Sequence, residues 1–312
     1  MLWLNGVTTG HKSRVIAGSL ILAAFVLAES LLITACGSIS VGDSPTATQP
    51  SIVVPTLTMT STFTQSPSPT VVTTPSPTSV NPDTGWVQLQ TGLERRVINL
   101  FDEEGNHLEQ VYVLRLESEH YRFAVAYHPD PQTLEAWRTE TDALIILNGG
   151  FYRVENETYL PNGLTVVDGE VIGSTYGPFA GMFLVTNDGP ELRWLEENPY
   201  DPNEPLLAAL QSFPVLVKPG GILGFPEEFE DYQQARRTVI GQDREGRLLF
   251  LIASKGSFTL HQLSSYLVAS DFNLDIAINL DGGPSSGVLL SNPSEIVPAL
   301  VPLPVVITVY DR

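Results

Sequence analysis

The chain has 312 residues, with 35 Asp and Glu against 16 Lys and Arg, a formal net charge of −19 at pH 7, and one cysteine. So few basic residues speak against a nucleic-acid partner, because phosphate contacts need a basic surface. A lone cysteine excludes an intramolecular disulfide, so any folded unit is held by its core alone, which this length permits.

At the start of the chain, Lys12 and Arg14 precede an apolar run from Val15 to Ala28, the layout of a secretory signal. The run is short for a membrane span, and Glu29 interrupts it. Ile33-Thr34-Ala35-Cys36 resembles the lipobox of bacterial lipoproteins. That resemblance implies a signal peptide over 1–35, cleavage before Cys36 and lipidation of its thiol. The product is an extracytoplasmic protein anchored to the lipid membrane through Cys36; an uncleaved anchor with an incidental cysteine is the alternative. From Gly37 to Thr84, Ser, Thr, Pro and Val dominate, as in "QSPSPTVVTTPSPTS". There is too little large apolar surface to offset chain entropy, so 36–84 reads as a lipidated cysteine followed by a disordered tether. The remainder, 85–312, suits one large domain or two intimate halves.

Within it, "HLEQVYVLRLE" (His107–Glu117) and "YRFAVAYH" (Tyr121–His128) alternate polar and apolar residues and predict a β-hairpin. Asp130-Pro131 then predicts a helix through about Glu140, with Asp130 as N-cap. "ALIIL" is a buried strand ending at Asn148. Leu164–Gly173 is a hairpin turning at Asp168-Gly169, and "GMFLVTNDG" is a further strand and turn. "PLLAALQ" predicts one or two helical turns. "FPVLVKPGG" and "TVIGQDREGRLLFLIA" give strands, the latter turning near Glu245-Gly246. Thr259 and Gln262 form a capping-box pattern, with Phe258 and Leu263 spaced as a hydrophobic staple. In the helix they open, Leu260, Leu263, Leu267 and Val268 share one face. "DFNLD" (Asp271–Asp275) begins like a calcium loop, but Ile276 and Gly282 occupy the positions that need Gly and Glu, so it reads as a turn. "DIAINL" then delivers Asp281, and "VPLPVVITVY" closes a sheet. The layout is α+β, with mixed, mainly antiparallel β-sheets and a few packed helices.

Two phrases share one local design. "LIILNGGFY" (Leu144–Tyr152) and "AINLDGGPSSG" (Ala277–Gly287) each end an apolar run with Leu, then Asn or Asp, then two glycines. Asn148 or Asp281 is the first polar side chain at a strand end. The glycines permit positive φ and a close approach of backbone, and successive N–H groups there can cradle an anion. Asn-Gly and Asp-Gly are also ordinary turn dipeptides.

"NGGFY", "RRTVIGQDREGRLLFLIASKGSFTLHQLSSYL" and "INLDGGPSSG", in that order over roughly Ala143–Leu290, resemble the phosphodiester glycosidase family. The resemblance implies cleavage of a sugar C1–O bond beside a phosphate, with a carbohydrate phosphodiester as substrate and no cofactor or metal. A phosphate monoester leaves with little protonation, so one carboxylate can suffice where glycosidases ordinarily use two. Asp281 is that carboxylate, as nucleophile or general base. Asn148 is expected beside Asp281 as the second residue of the catalytic pair, hydrogen-bonding a sugar hydroxyl or the phosphate. Arg237 is the expected phosphate-binding cation, because a guanidinium fork suits phosphate. Phe151 and Tyr152 are placed to stack on a sugar face. Gly149, Gly150, Gly282, Gly283, Ser285 and Ser286 complete the expected binding set. His128 and His261 are weaker candidates. No G-x-S-x-G elbow, H-E-x-x-H pair or G-x-x-x-x-G-K-[ST] loop is present. The rival reading is a non-catalytic surface module that binds polysaccharide or wall polymer in the same pocket.

Overall fold

The segment Leu248–Ala253 carries no polar residue, and neither does Ile276–Ile278. Strands of that kind must be covered on both faces. The computed structural model describes residues 81–312 and meets this demand with three large antiparallel sheets. The expected signal peptide, Cys36 and the expected tether up to residue 80 lie outside the described residues. An eight-stranded sheet runs, in spatial order, Val87–Gln90, Leu93–Phe101, His107–Leu116, Leu248–Phe258, Ala235–Asp243, Leu274–Asn279, Val215–Lys218 and Ile222–Leu223. One five-stranded sheet has the order Glu295–Val297, Val288–Leu290, Ile145–Asn148, Leu303–Asp311 and Tyr121–Gln132. The other has Gly189–Trp194, Gly181–Thr186, Ala208–Ser212, Thr165–Val167 and Glu170–Ile172. A small hairpin, Tyr152–Glu155 with Thr158–Pro161, stands apart.

The period of two along each strand sorts side chains between cores. Leu248, Phe250 and Ile252 enter a central core with Phe183, Leu210, Leu147 and Ile307, so all three sheets share it. Leu249 and Leu251 face the other way, toward Leu263 and Leu267 of the helix Leu260–Ala269. The helix Leu134–Thr141 buries Leu134 and Trp137 on Ile146 and Val306, and the Trp137 indole donates to the Leu303 carbonyl at 2.9 Å.

Several expectations hold. The capping box is formed by Thr259 and Gln262. Asp168 and Gly169 take φ of 49° and 83°, the left-handed pair that a two-residue hairpin requires. The α+β expectation of mainly antiparallel sheets with a few packed helices fits roughly: the fold is mainly β, and every strand pairing among the described residues is antiparallel, so no sheet there is mixed. Others need correction. His107–Leu116 and Tyr121–Gln132 do not pair as a hairpin. The first joins Leu93–Phe101 and Leu248–Phe258; the second joins Leu303–Asp311. The helix begins at Leu134 with Thr133 as its cap, because the ladder to Leu303 runs on through Gln132 and outweighs the Asp-Pro signal. "PLLAALQ" contributes the strand Ala208–Ser212, not helix. A strand buried on both faces has no alternation to betray it. Val268 is exposed rather than on the apolar face.

The folded unit also begins before Gly85. Asp83 pairs with Ile98, and its carboxylate meets Arg96 at 2.6 Å. Asn99 donates to the Pro82 carbonyl at 2.7 Å. Residues Asn81–Thr84, expected at the end of the tether, are therefore bound to the domain.

Candidate active site

The two double-glycine phrases come from different sheets and meet at their ends. Ile145–Asn148 lies inside a five-stranded sheet, and Leu274–Asn279 inside the eight-stranded one. The Asp281 N–H donates to the Gly149 carbonyl at 3.1 Å. In return, the Asn148 side-chain amide donates to the Asp281 carbonyl at 2.8 Å. The Asn148 Oδ1 accepts from the Thr238 hydroxyl at 2.7 Å and from the Gly287 N–H at 3.0 Å. Repetition in the sequence thus reflects a clasp between two strand ends.

This clasp corrects the part expected of Asn148. Its side chain is fully buried and its polar atoms are engaged by the protein, so it holds Asp281 rather than meeting a ligand. The glycines beside it serve close packing. Neither Gly149 nor Gly150 has positive φ. A Cβ on Gly149 would lie 2.7 Å from Val305 Cγ1 and 2.9 Å from its carbonyl oxygen; one on Gly150 would lie 3.1 Å from the Gln211 carbonyl oxygen. Neither residue forms the expected anion cradle. Gly283 alone of the four takes the left-handed conformation, at φ 56°.

Above the clasp opens a pocket of about 470 Å³ lined by Phe151, Tyr152, Asn162, Phe213, Asp281, Gly282, Pro284, Ser285 and Val301. Phe151, Tyr152, Asp281, Gly282 and Ser285 thus come together as the sequence anticipates. Ser286 does not join them: it is fully buried beneath, and its hydroxyl has no partner among the described residues. The wall continues as an aromatic cluster, with Phe213 4.8 Å from Phe151, 5.1 Å from Tyr176 and 5.6 Å from Phe179, centroid to centroid.

Among the described residues, Asp281 is the one carboxylate on this lining. Burial pushes its pKa above the ordinary aspartate value. The Ser285 hydroxyl and the Gly282 N–H, which donates to Oδ1 at 2.9 Å, pull it partly back. The Tyr152 phenol is raised by burial and by the negative Asp281, and it too meets the Ser285 side chain. Tyr176 is pushed up to about 12, chiefly by burial. It senses Arg153 and Asp281 with opposite sign, and its hydroxyl is buried with no partner among the described residues.

Arg237 is not on the lining. Its guanidinium donates to the Gln233 carbonyl at 2.6 Å and the Phe258 carbonyl at 3.3 Å. No carboxylate lies at ion-pair distance from it among the described residues. Burial lowers its pKa, while Asp231 and Glu230 act in the opposite sense. Its stem passes behind Gly282, 3.9 Å from where a Cβ would stand, so the charge flanks the pocket. Both candidate histidines are elsewhere: His261 contacts the Phe225 carbonyl and His128 the Asp130 carbonyl. Glu117, Glu119 and His120, close enough together to share a cation, are also remote from this lining. A larger pocket, about 700 Å³, lies between Arg122, Asp168, Asn187 and Asp311 and includes no residue of either phrase. Sequence reasoning missed Asn162, Phe213 and Tyr176, which belong to no motif and reach the site only through the fold.

The family model for phosphodiester glycosidases matches residues 141–309. Comparison with curated proteins gives no match. Among solved structures, the catalytic domain of zebrafish N-acetylglucosamine-1-phosphodiester alpha-N-acetylglucosaminidase is similar, with 20% identity and a TM-score of 0.56 over 71% of this chain and 84% of that one. A hypothetical protein from Synechocystis is 14% identical with a TM-score of 0.49, over 73% of this chain and 63% of that one. At 20% identity the likeness to the zebrafish domain concerns the fold. The family match covers more than half of the sequence and carries the assignment: this chain belongs to the phosphodiester glycosidase family.

Proposed function

We propose that the protein is an extracytoplasmic, lipid-anchored hydrolase that cleaves a sugar from a sugar-1-phosphodiester in a glycan or cell-envelope polymer. The observation that carries the reading is Asp281, a carboxylate fixed by backbone at a strand end and facing an aromatic-lined pocket. A sugar ring stacks on Phe151 and Tyr152, with its anomeric carbon toward Asp281. Water adds its oxygen to C1, directly with Asp281 as base or after Asp281 has formed a glycosyl ester. The C1–O bond breaks, and its electron pair leaves with an intact phosphomonoester. That leaving group is already a weak base, which fits a lining with a single carboxylate.

Arg237 serves the phosphate from the flank behind Gly282, exchanging its carbonyl partners for phosphate oxygens. Arg153, paired with Glu155 at 2.6 Å and bonded to the Pro161 carbonyl, lies near enough to Tyr176 to act on its phenol. Membrane anchoring rests on Lys12, Arg14, the run to Ala28 and the lipobox ending in Cys36. Product analysis on a sugar-1-phosphodiester tests the chemistry. Free sugar with an intact phosphomonoester supports the proposal; sugar phosphate points to cleavage at phosphorus, and binding without turnover to a non-catalytic module.

A further inference from the structure

Beside the pocket, the segment Pro226–Gln234 presents two aromatic rings to solvent. Phe229 is 66% exposed and Tyr232 71%. Single exposed apolar residues need no explanation. Tyr232, however, also holds φ at 59°, the left-handed region that a ring-bearing residue rarely enters. The segment is fastened in that shape by one carboxylate. Glu230 accepts from the Asp231 and Tyr232 N–H groups at 3.0 and 3.1 Å, and its other oxygen accepts from the His261 N–H at 2.7 Å, at the start of a helix. Phe229 is backed by Phe225, 6.3 Å away. The backbone that carries both exposed rings is therefore fastened to the start of that helix.

The location ties this surface to the candidate site. Gln233 bonds the Arg237 guanidinium, and the Arg237 stem lies behind Gly282, which lines the pocket. Its charge narrows the occupant. Glu227, Glu228 and Asp231 are exposed on the same segment, and it carries no Lys or Arg. A polyanion is repelled there. Neutral sugars are not: their C–H faces stack on aromatic rings, and their hydroxyls donate to carboxylates.

We infer that Phe229 and Tyr232 form a binding subsite for neutral sugar units of the substrate, beyond the phosphate that Arg237 would hold. The inference rests on the proposed reading of the pocket and adds to it a contact surface outside the lining, on Phe229 and Tyr232, for the part of the substrate beyond the phosphate. The order across the surface is scissile sugar at Asp281, phosphate at Arg237, and neutral glycan on the aromatic pair.

Calorimetric titration of the full chain with cellohexaose, maltohexaose and chitohexaose, and with dextran sulfate, tests this. Binding of at least one neutral hexasaccharide is expected, with none of dextran sulfate. Phe229→Ala with Tyr232→Ala should weaken that binding at least tenfold and leave turnover of a methyl sugar-1-phosphodiester within twofold of the parent. Tyr232→Gly removes the ring and relieves the backbone, so it should melt no lower than the parent yet bind more weakly. A merely structural tyrosine would not separate the two readouts. Absence of hexasaccharide binding by the parent, preference for dextran sulfate, or parent-like binding by both variants overturns the subsite. Glycan binding that needs the two rings, without hydrolysis of any diester, overturns the enzymatic reading and leaves the subsite standing.

Discussion

Replacing Asn148 with alanine removes the side-chain bonds of the clasp between the two strand ends and leaves the backbone bond from Asp281 to Gly149. Three buried groups lose their partner: the Asp281 carbonyl, the Thr238 hydroxyl and the Gly287 N–H. At about 1–3 kcal/mol for each unsatisfied group, the loss is roughly 3–9 kcal/mol, a large part of the roughly 5–15 kcal/mol that holds a domain folded. Urea unfolding reads it directly. Asn148→Asp is the sharper probe. One oxygen keeps the Thr238 and Gly287 bonds, while the other replaces a donor and faces the Asp281 and Gly149 carbonyls. The folded protein then holds the new carboxyl protonated, above its unfolded value of about 3.9. Stability should approach that of the parent near pH 4 and fall as pH rises through the folded value. Because Asn148 acts through the Asp281 backbone, any folded fraction of this variant should show reduced kcat with little change in KM. A loss below about 1 kcal/mol in the alanine variant, or a pH profile for Asn148→Asp parallel to the parent's, would refute the clasp.

Asp281→Asn should reduce turnover at least about a hundredfold with little change in substrate binding. Since burial raises the Asp281 pKa, the ionised carboxylate opposes folding, so this variant should melt higher than the parent at pH 7, with the gap closing on acidification. By the same shift, the parent's activity should fall off at a higher pH than an ordinary aspartate would give. Gly149→Ala sets a Cβ against Val305, backbone included, and should destabilise by about 1–3 kcal/mol in thermal unfolding; unchanged stability would mean that the strands part easily. A chain beginning at Gly85 should be less stable than one beginning at Asn81 by about 1–2 kcal/mol, the worth of the Pro82 and Asn81 bonds to Asn99 and a partly exposed Asp83–Arg96 pair. Equal midpoints in urea would return Asn81–Thr84 to the tether.

What could be read from the sequence was what local chemistry decides. Thr259 with Gln262 and Asp168 with Gly169 carry their own geometry, so a cap and a turn could be placed to the residue. Sheet membership could not, because His107–Leu116 and Tyr121–Gln132 have the same alternation whichever partner they take. The site divides in the same way. Phe151, Tyr152, Asp281 and Ser285 were legible because each follows a strand end within one short phrase. Asn148 looked like a ligand contact because burial leaves no mark on a single polar residue at a strand end. Phe213 and Tyr176 joined the wall through tertiary packing with no nearby pattern to announce them. Arg237 was legible as a cation; its turn toward Gln233 and Phe258 was set by a bulge opposite Phe258–Ala253 that no spacing encodes.

The most direct test is hydrolysis of a sugar-1-phosphodiester in water enriched in oxygen-18, with the label located by mass spectrometry. If Asp281 directs attack at the anomeric carbon, the label enters the C1 hydroxyl of the released sugar, the phosphomonoester stays unlabelled, and Asp281→Asn loses the reaction. Label in the phosphate, or turnover in Asp281→Asn equal to the parent's, would contradict it.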